Sequence, residues 1–536
     1  MIGSAVPIPR HWYNAAADLP ELYGPYIDPA TGRELTADSL TELFAPELVE
    51  QELDRSTRLR PIPDEVMERY ALWRPTPLIR ATGLERALGT KCKIFYKYEG
   101  VSPIGSHKAN SGVAQAHYSK RAGRTKVYAE TGAGQWGSAI SMGSSFVGLD
   151  AEVFMVGGSY DAKPSRRILM ETFGSTVHRS PSPHTAVGRA ARAADENAQG
   201  SLGLAIGEAV EAARADPAAA YALGSAFNFV CLHQTVIGQE LRAQLDSVGL
   251  KPDALISCIG GGSSFAGLVF PFLDQLDRKG APLDLVAVES NAVPKVTQGK
   301  FTFDHGDSAK LTPLVEMYTL GHEFAAPGIH SGGLRYHGLS GQVSKALNLG
   351  MGRAVAYSQL EIFKAASLFA RTEGLIPAPE AAHSVAATIE IARQHRDEEK
   401  VLVFCLTGHG FFDLSAYQRY NLGQMEDSDS PSEAIARSLG ELPKVPHRGA
   451  PAPAGADPFD AWERWHFGNR ATPDRPVGGG GATDLREYRV VSERLVREAC
   501  RNASGDLFVA ANAVITPAAE SEARDRGRAI VRDIAR

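Results

Sequence analysis

Cysteine is scarce in this chain. The five residues, Cys92, Cys231, Cys258, Cys405 and Cys500, include no C-x-x-C pair. A redox dithiol and a disulfide framework are therefore not expected. Most of them lie in apolar runs such as "LISCIGGG" and "VFCLTGHG", which predicts buried free thiols in a reducing compartment. A large excess of either charge is also missing: 56 basic against 62 acidic residues leave a net charge of −6. That gives no reason to expect nucleic acid or an acidic membrane as partner. No apolar run reaches the roughly eighteen residues that a membrane-spanning helix needs. The opening "MIGSAVPIPRHWYN" lacks a charged start followed by an apolar stretch, so no export signal is expected. These absences point to a soluble, cytoplasmic protein.

What is present suits a large globular protein. The 536 residues suffice for two ordinary domains and some extra. Hydrophobic residues make up 43% and charged residues 22%, enough to bury a sizeable core. Residues 1–70 are rich in Pro, Tyr and Leu without strong period and read as an arm that wraps a core. From about 90 to 415, short apolar runs alternate with helical patterns. The expected strands are 93–99, 126–130, 151–157, 254–260, 284–290 and 400–406. Most are nearly all apolar, as parallel strands covered on both faces must be. Helical patterns such as 163–174 and 381–395 lie between them, so the fold class is α/β. Past residue 425 the chain turns polar and rich in Pro and Gly. Residues 426–536 read as an appendage with linker-like stretches, aromatic anchors in "PFDAWERWHFGNR" and a charged amphipathic segment from Leu485 to Cys500.

Two glycine loops carry the chemical signal. "GAGQWG" at 132–137 fits G-x-G-x-x-G between a strand and a helix, the setting of a dinucleotide loop. The acid expected for the ribose does not follow: Glu152 begins the next strand instead of ending it. Glu130, just before the first glycine, would also repel a pyrophosphate. The loop still gathers backbone N–H groups, and a smaller anion such as a substrate carboxylate fits it. The plain alternative is a tight strand-to-helix turn.

The second loop, Gly260-Gly261-Gly262-Ser263-Ser264, closes a strongly apolar strand. Such a bend can wrap a phosphate in N–H and O–H donors. No Walker lysine follows, so the phosphate does not belong to a nucleoside triphosphate. A phosphate without a nucleotide loop suggests pyridoxal phosphate, which also needs a lysine. "GVSPIGSHKANSG" supplies Lys108 at a helix start, where a cation is electrostatically misplaced. Forming an imine, or losing its proton, relieves that conflict. A lone lysine would be read as a surface group; its company with a phosphate loop lifts it.

The ordered set "GSHKAN", "ETGAGQWG", "GGGSS", "EGLIPAPEAAH" and "LTGHGFFDL" resembles the tryptophan synthase β chain family. The stretches "RHWYNAAADLP", "YALGSAFNFVCLHQTVIGQE" and "SGGLRYHG" resemble its second type, over roughly residues 8–425. The resemblance implies the two-lobed fold type II of pyridoxal-phosphate β-replacement enzymes. In this chain that core spans 71–425, with a smaller, mobile lobe at about 123–225. It implies condensation of L-serine with indole to L-tryptophan through an aminoacrylate. Lys108 resembles the lysine bonded to the cofactor, and His107 the histidine near its phosphate. Gly260, Gly261, Gly262 and Ser263 resemble the phosphate cradle, with Ser264 where the family usually has Asn. Thr407 stands where a serine usually faces the pyridine nitrogen. Glu130 resembles the catalytic acid/base. Thr131, Gly132, Ala133, Gly134 and Gln135 resemble the loop for the substrate carboxylate, with Trp136 and Arg335 as further substrate contacts. A monovalent-cation activator and a homodimer are also implied, while docking of an α-type subunit stays open.

Each residue also has a bland reading. Glu130 alone would be a salt-bridged strand end, Arg335 a surface group, Thr407 a turn cap and His383 a packed helix histidine. Two other activities compete. A related β-replacement or dehydration would use another nucleophile or a substituted serine or threonine. A nicotinamide dehydrogenase would need the first loop for a dinucleotide.

Overall fold

The computed structural model describes residues 6–19, 21–276, 283–427 and 432–444, with short pieces between 483 and 533. The chain forms two compact units, Met1–Ala452 and Pro453–Arg536.

The first unit is built on two parallel sheets. In the larger sheet the strand order is Arg353–Tyr357, Asp284–Ser290, Ala254–Cys258, Val401–Leu406, Lys93–Tyr98, Leu78–Arg80. All neighbours run parallel except the last pair. Ala254–Cys258 and Val401–Leu406 are buried at every residue. Only continuous apolar runs tolerate such a position, which is why both were legible as strands. Ile256, Val286 and Phe404 of this sheet share one core with Phe363 and Phe369 of helix Gln359–Glu373 and Val385 of helix Pro379–Gln394. Each such side chain removed from water contributes about 1.5–3 kcal/mol.

The smaller sheet has the order Thr176–Ser180, Asp150–Val156, Lys126–Thr131, Ala219–Ala222, parallel throughout. Helices Ala109–Arg121 and Gln135–Val147 pack against each other, and the second follows the central strand through the first glycine loop. All six strands expected from the sequence are present, with ends that move by a residue or two. The α/β fold class holds. Both quoted helical patterns are helices as well, at Pro164–Thr172 and Pro379–Gln394. Among the described residues, no helix is long and apolar enough to cross a membrane. Cys92, Cys231, Cys258 and Cys405 are free and buried; Cys500 lies outside the described residues.

The chain before Tyr70 lies on this body. Strand His11–Tyr13 pairs with Leu59–Pro61, and the Tyr13 N–H donates to Thr235 Oγ1 at 2.9 Å. Trp12 is completely buried, with its ring against those of Tyr118 and His233. Helix Ser432–Gly440 buries Ile435 with Ala292, Val293, Leu320 and Phe324.

In the second unit, Leu507–Ala510 pairs in parallel with Thr483–Asp484 and Ile530–Asp533, and Val490–Val491 pairs with Val514–Ile515. The aromatic segment 458–470 lies outside the described residues, and 485–500 is described only at Val490, Val491 and Val496.

Candidate active site

A cavity opens among segments that follow strand ends in both sheets. Its wall includes His107, Lys108, Gln135, Gly260 to Ser264 and Thr407, all singled out by the sequence. Carboxyl ends of parallel strands leave such a crevice because the chain there turns away to both sides.

Lys108 occupies the cap position of helix Ala109–Arg121 and lines this cavity. Its ammonium donates one hydrogen bond, to the Gly224 carbonyl at 2.7 Å. Loss of water pulls its pKa from 10.5 to about 8, against the opposing pull of the Glu130 and Glu380 carboxylates. A neutral amine is thus accessible near neutral pH, which an ordinary surface lysine cannot offer.

Glu130 is buried near the end of strand Lys126–Thr131. The Tyr221 hydroxyl donates to its Oε2 at 2.6 Å and the Gly224 N–H to its Oε1 at 3.3 Å. Burial outweighs both bonds and lifts its pKa from 4.5 to about 7. Gly224 therefore joins the two groups: its carbonyl accepts from Lys108 and its N–H donates to Glu130. A Cβ on Gly224 would meet Trp136 Cγ at 2.5 Å, so only glycine fits there. The Trp136 indole donates to the Ala222 carbonyl at 3.1 Å. Trp136 thus clamps the bridge and, like Glu130 and Thr131 to Gly134, is not on the cavity wall itself.

The first glycine loop has donors to spare. Thr131 Oγ1 accepts from the N–H of Gly134 at 3.2 Å and of Gly137 at 3.1 Å. Among the described residues, the N–H groups of Gly132, Ala133, Gln135 and Trp136 find no protein acceptor. Gly134 is left-handed, with φ 98°, which turns the chain into helix Gln135–Val147. The dinucleotide reading fails here. Glu152 is bound to Lys126 at 2.7 Å and His178 at 2.9 Å. Lys126 begins its strand, so these bonds hold Glu152 at the opposite edge of the sheet from the loop.

The second loop is likewise open. Among the described residues, no N–H from Gly260 through Ser264 donates within the protein. A Cβ on Gly260 would stand 2.2 Å from the Gly333 carbonyl, and one on Gly261 2.1 Å from Ser225 Oγ. Side chains are excluded, and amides unspent within the protein lie on the cavity wall, which suits a phosphate. Ser264 contributes differently from Ser263. Its hydroxyl donates to the Cys258 carbonyl at 2.8 Å, so it braces the bend.

His107 N–H donates to the Thr407 carbonyl at 2.9 Å, and its Nδ1 lies 3.4 Å from the same oxygen. Burial, then the charge of Lys108, pushes its pKa to about 3, so the ring is neutral. Thr407 is buried at the exit of strand Val401–Leu406, with Oγ1 3.9 Å from Cys258 Sγ. Arg335 is not on the cavity wall, although Gly333 and Leu334 are. Its Nη2 donates to the Ile329 carbonyl and its buried Nε has no partner. His383 is a buried helix residue with Nδ1 at 2.9 Å from the Pro379 carbonyl, as the packed reading held.

Two wall residues escaped sequence reasoning. Arg166 is 1% exposed, lies over the Phe412 ring at 4.1 Å and donates to the Ile104 carbonyl at 3.0 Å. Its Nη2 has no partner. Glu380 accepts from the Gly333 N–H at 2.8 Å and leaves Oε2 unpaired. Glu380 sits inside the motif "EGLIPAPEAAH", which was a usable signal. Nothing in the sequence distinguishes Arg166 from Arg167 beside it.

Comparison with known proteins gives consistent matches. The family model described as pyridoxal-phosphate dependent enzyme matches residues 70–408. The tryptophan synthase beta chain of Pyrococcus horikoshii is 49% identical over 424 residues, covering 78% of this chain and 92% of that one. Tryptophan synthase beta chain 2 of Aquifex aeolicus is 50% identical over 425 residues, covering 78% and 98%. Its counterpart in Thermotoga maritima is 49% identical over 413 residues, covering 76% and 97%. A solved structure of a threonine deaminase aligns with TM-score 0.43 and 18% identity, over 65% of this chain and 98% of that one. The family model and the three curated relatives settle the kinship: the chain belongs to the tryptophan synthase β chain family of pyridoxal-phosphate dependent enzymes.

Proposed function

We propose a division of labour among the cavity residues for the activity this chain carries, the condensation of L-serine with indole to L-tryptophan and water. Pyridoxal phosphate, when bound, supplies an electron-withdrawing ring conjugated to the substrate Cα, which lets the Cα proton and the β-substituent depart. The amides of Gly260 to Ser263 would hold its phosphate, and Lys108 would hold its aldehyde end. Thr407 would offer the ring nitrogen a neutral hydroxyl, and the uncharged His107 would stand near the phosphate without adding charge.

The free amides of Gly132, Ala133 and Gln135 orient the serine carboxylate. Lys108, as a free amine, would take the Cα proton; its depressed pKa leaves a useful fraction neutral at working pH. Glu130 titrates near neutrality, so it can give a proton to the departing β-oxygen. As a carboxylate it then balances the positive charge on the indole N–H while C3 bonds to Cβ. The Cβ–O bond breaks and water leaves, the Cβ–C3 bond forms, Glu130 takes the proton from indole C3 and so recovers the one it gave to the water, and Lys108 returns the proton to Cα.

The observation that carries this assignment is the single residue Gly224, whose backbone is bonded to both catalytic side chains. The enzyme works as a homodimer in the cytoplasm on these small substrates, and light scattering of the purified chain checks the assembly. The chemistry is tested by the absorption spectrum of the purified enzyme as serine, and then indole, are added. A visible band that changes with serine and returns with indole, together with tryptophan formed, is expected. A chain that stays colourless when supplied with pyridoxal phosphate overturns the site. Turnover of phosphoserine or threonine without turnover of serine would instead assign the related β-replacement.

A further inference from the structure

The first unit contains a second buried lysine that the reaction above does not use. Lys295 is completely buried, yet it does not line the cavity. Among the described residues its ammonium makes one hydrogen bond, to the Ile259 carbonyl at 3.4 Å. Glu289 is the carboxylate that acts on it most strongly. That carboxylate is already occupied by the N–H groups of Val296 at 3.0 Å and Thr297 at 2.9 Å and by Thr297 Oγ1 at 2.7 Å. His383, another neighbour, keeps Nε2 unpaired, and burial with the nearby ammonium holds its ring neutral. Cys258, also close, is a buried thiol pushed up to about 11 by burial. An ammonium kept this dry with donors unspent is costly, so its position calls for a compensating role.

The role follows from the peptide it holds. In a trans peptide the carbonyl and the next N–H point in opposite directions. Ile259 ends the strand side of the triple-glycine bend, so its carbonyl and the Gly260 N–H belong to one peptide plane. Drawing the Ile259 carbonyl toward Lys295 turns the Gly260 N–H the other way, and Gly260 stands on the cavity wall while Lys295 does not. The same device repeats along the bend. Ser340 N–H holds the Gly261 carbonyl at 2.9 Å, which turns out the Gly262 N–H. Ala266 N–H holds the Gly262 carbonyl at 2.9 Å, which turns out the Ser263 N–H. Of the four peptides from Ile259 to Ser263, two are fixed by backbone amides and the first by a cation.

We propose that Lys295 is a positioning residue, a tethered ammonium that sets the first amide of the phosphate cradle and makes a free monovalent cation unnecessary for that task. The proposal rests on the reading of the bend as phosphate cradle. A lysine ammonium and a free monovalent ion do the same work at a carbonyl: each draws it by charge. The covalent tether removes the need to bind the ion from solution.

The test compares the wild-type enzyme with Lys295→Met at constant ionic strength in tetramethylammonium, sodium, potassium and ammonium chlorides. Wild type is expected to vary less than about twofold among these salts, since no dissociable ion contributes. Lys295→Met is expected to bind pyridoxal phosphate and turn over about tenfold less well in tetramethylammonium, the scale of one lost charged hydrogen bond. Ammonium chloride is expected to restore a large part of both, and to raise the melting temperature of the cofactor-free variant but not of wild type. Strong dependence of wild type on potassium or sodium overturns the proposal without any variant. So does a Lys295→Met protein indifferent to every salt, or one impaired and not restored by ammonium. A wild-type chain that takes up no cofactor overturns the cradle itself, and that outcome is distinct from all of these.

Discussion

Lys97 and Lys108 leave the same stretch of chain and both lose most of their water, yet they are treated in opposite ways. The Lys97 ammonium has an acceptor for each proton: the Thr76 carbonyl at 2.7 Å, Glu240 Oε2 at 2.9 Å and Gln244 Oε1 at 2.9 Å. Around it Arg74 is held by Glu240 at 2.8 Å and Glu99 at 3.0 Å. That cluster has two cations, two carboxylates and no opening. Lys108 has one acceptor and a cavity in front of it. The difference separates scaffold from chemistry: a buried charge whose bonds are all made holds elements together, while one with bonds unspent is available to a ligand.

The largest effect expected from breaking this contrast is on turnover. Replacing Lys108 with Ala should lower kcat by roughly 10⁴-fold, because both the cofactor bond and the Cα base are lost. The melting temperature should hold or rise, since a poorly paired buried ammonium is removed. Steady-state assay and calorimetry check both halves. Replacing Glu240 with Ala should do the reverse. It strands Arg74 and Lys97 and should cost about 3–5 kcal/mol of stability by denaturant titration, with the chemistry of any folded fraction unchanged.

Glu130→Gln comes next, with kcat expected to fall roughly 10²-fold. It also carries a sign. The folded protein binds the Glu130 proton more tightly than the unfolded chain does, with a pKa of about 7 against 4.5. Its stabilising share is therefore complete below 4.5 and lost as pH rises through about 7. The Gln variant should lack that slope in melting experiments across the window and be the more stable protein above it. The smallest effect belongs to Tyr221→Phe. Without the hydroxyl that holds the carboxylate down, the limb of the pH–rate profile set by Glu130 should move up by about one pH unit. An unmoved limb would show that another group sets it.

The parts of the fold that were readable share a physical cause. Ala254–Cys258 and Val401–Leu406 are sealed on both faces, so their sequences are nearly all apolar and stand out. Edge strands do not. Thr176–Ser180 and Arg353–Tyr357 each pair on one side only and remain half-exposed, so no pattern marked them. Ala219–Ala222 is fully buried but too short and too small in side chain to be distinguished from a loop. The site divides the same way. Lys108 and the glycine bends were legible because glycine and lysine are costly where they stand, which leaves a trace in the letters. Arg166 left none, and Tyr221 and Gly224 stood inside "YALGSAFNFVCLHQTVIGQE" with nothing to mark either letter as part of the site. They are ordinary residues made special only by what is folded against them.

The order of glycines, the lysine at a helix start and the alternation of apolar runs are local properties, and local backbone preference and burial period led from them to a parallel α/β fold and to the expectation of a phosphate bend and a cofactor-holding lysine. Which groups meet is a property of distance in space. The glycine shared by Lys108 and Glu130, the withdrawal of Trp136 and Ser264 into bracing roles, and the ammonium of Lys295 behind the bend were all set by packing that no local pattern encodes. Desolvation and the orientation of a carbonyl depend on every element packed around them, so those were decided only when the chain closed on itself.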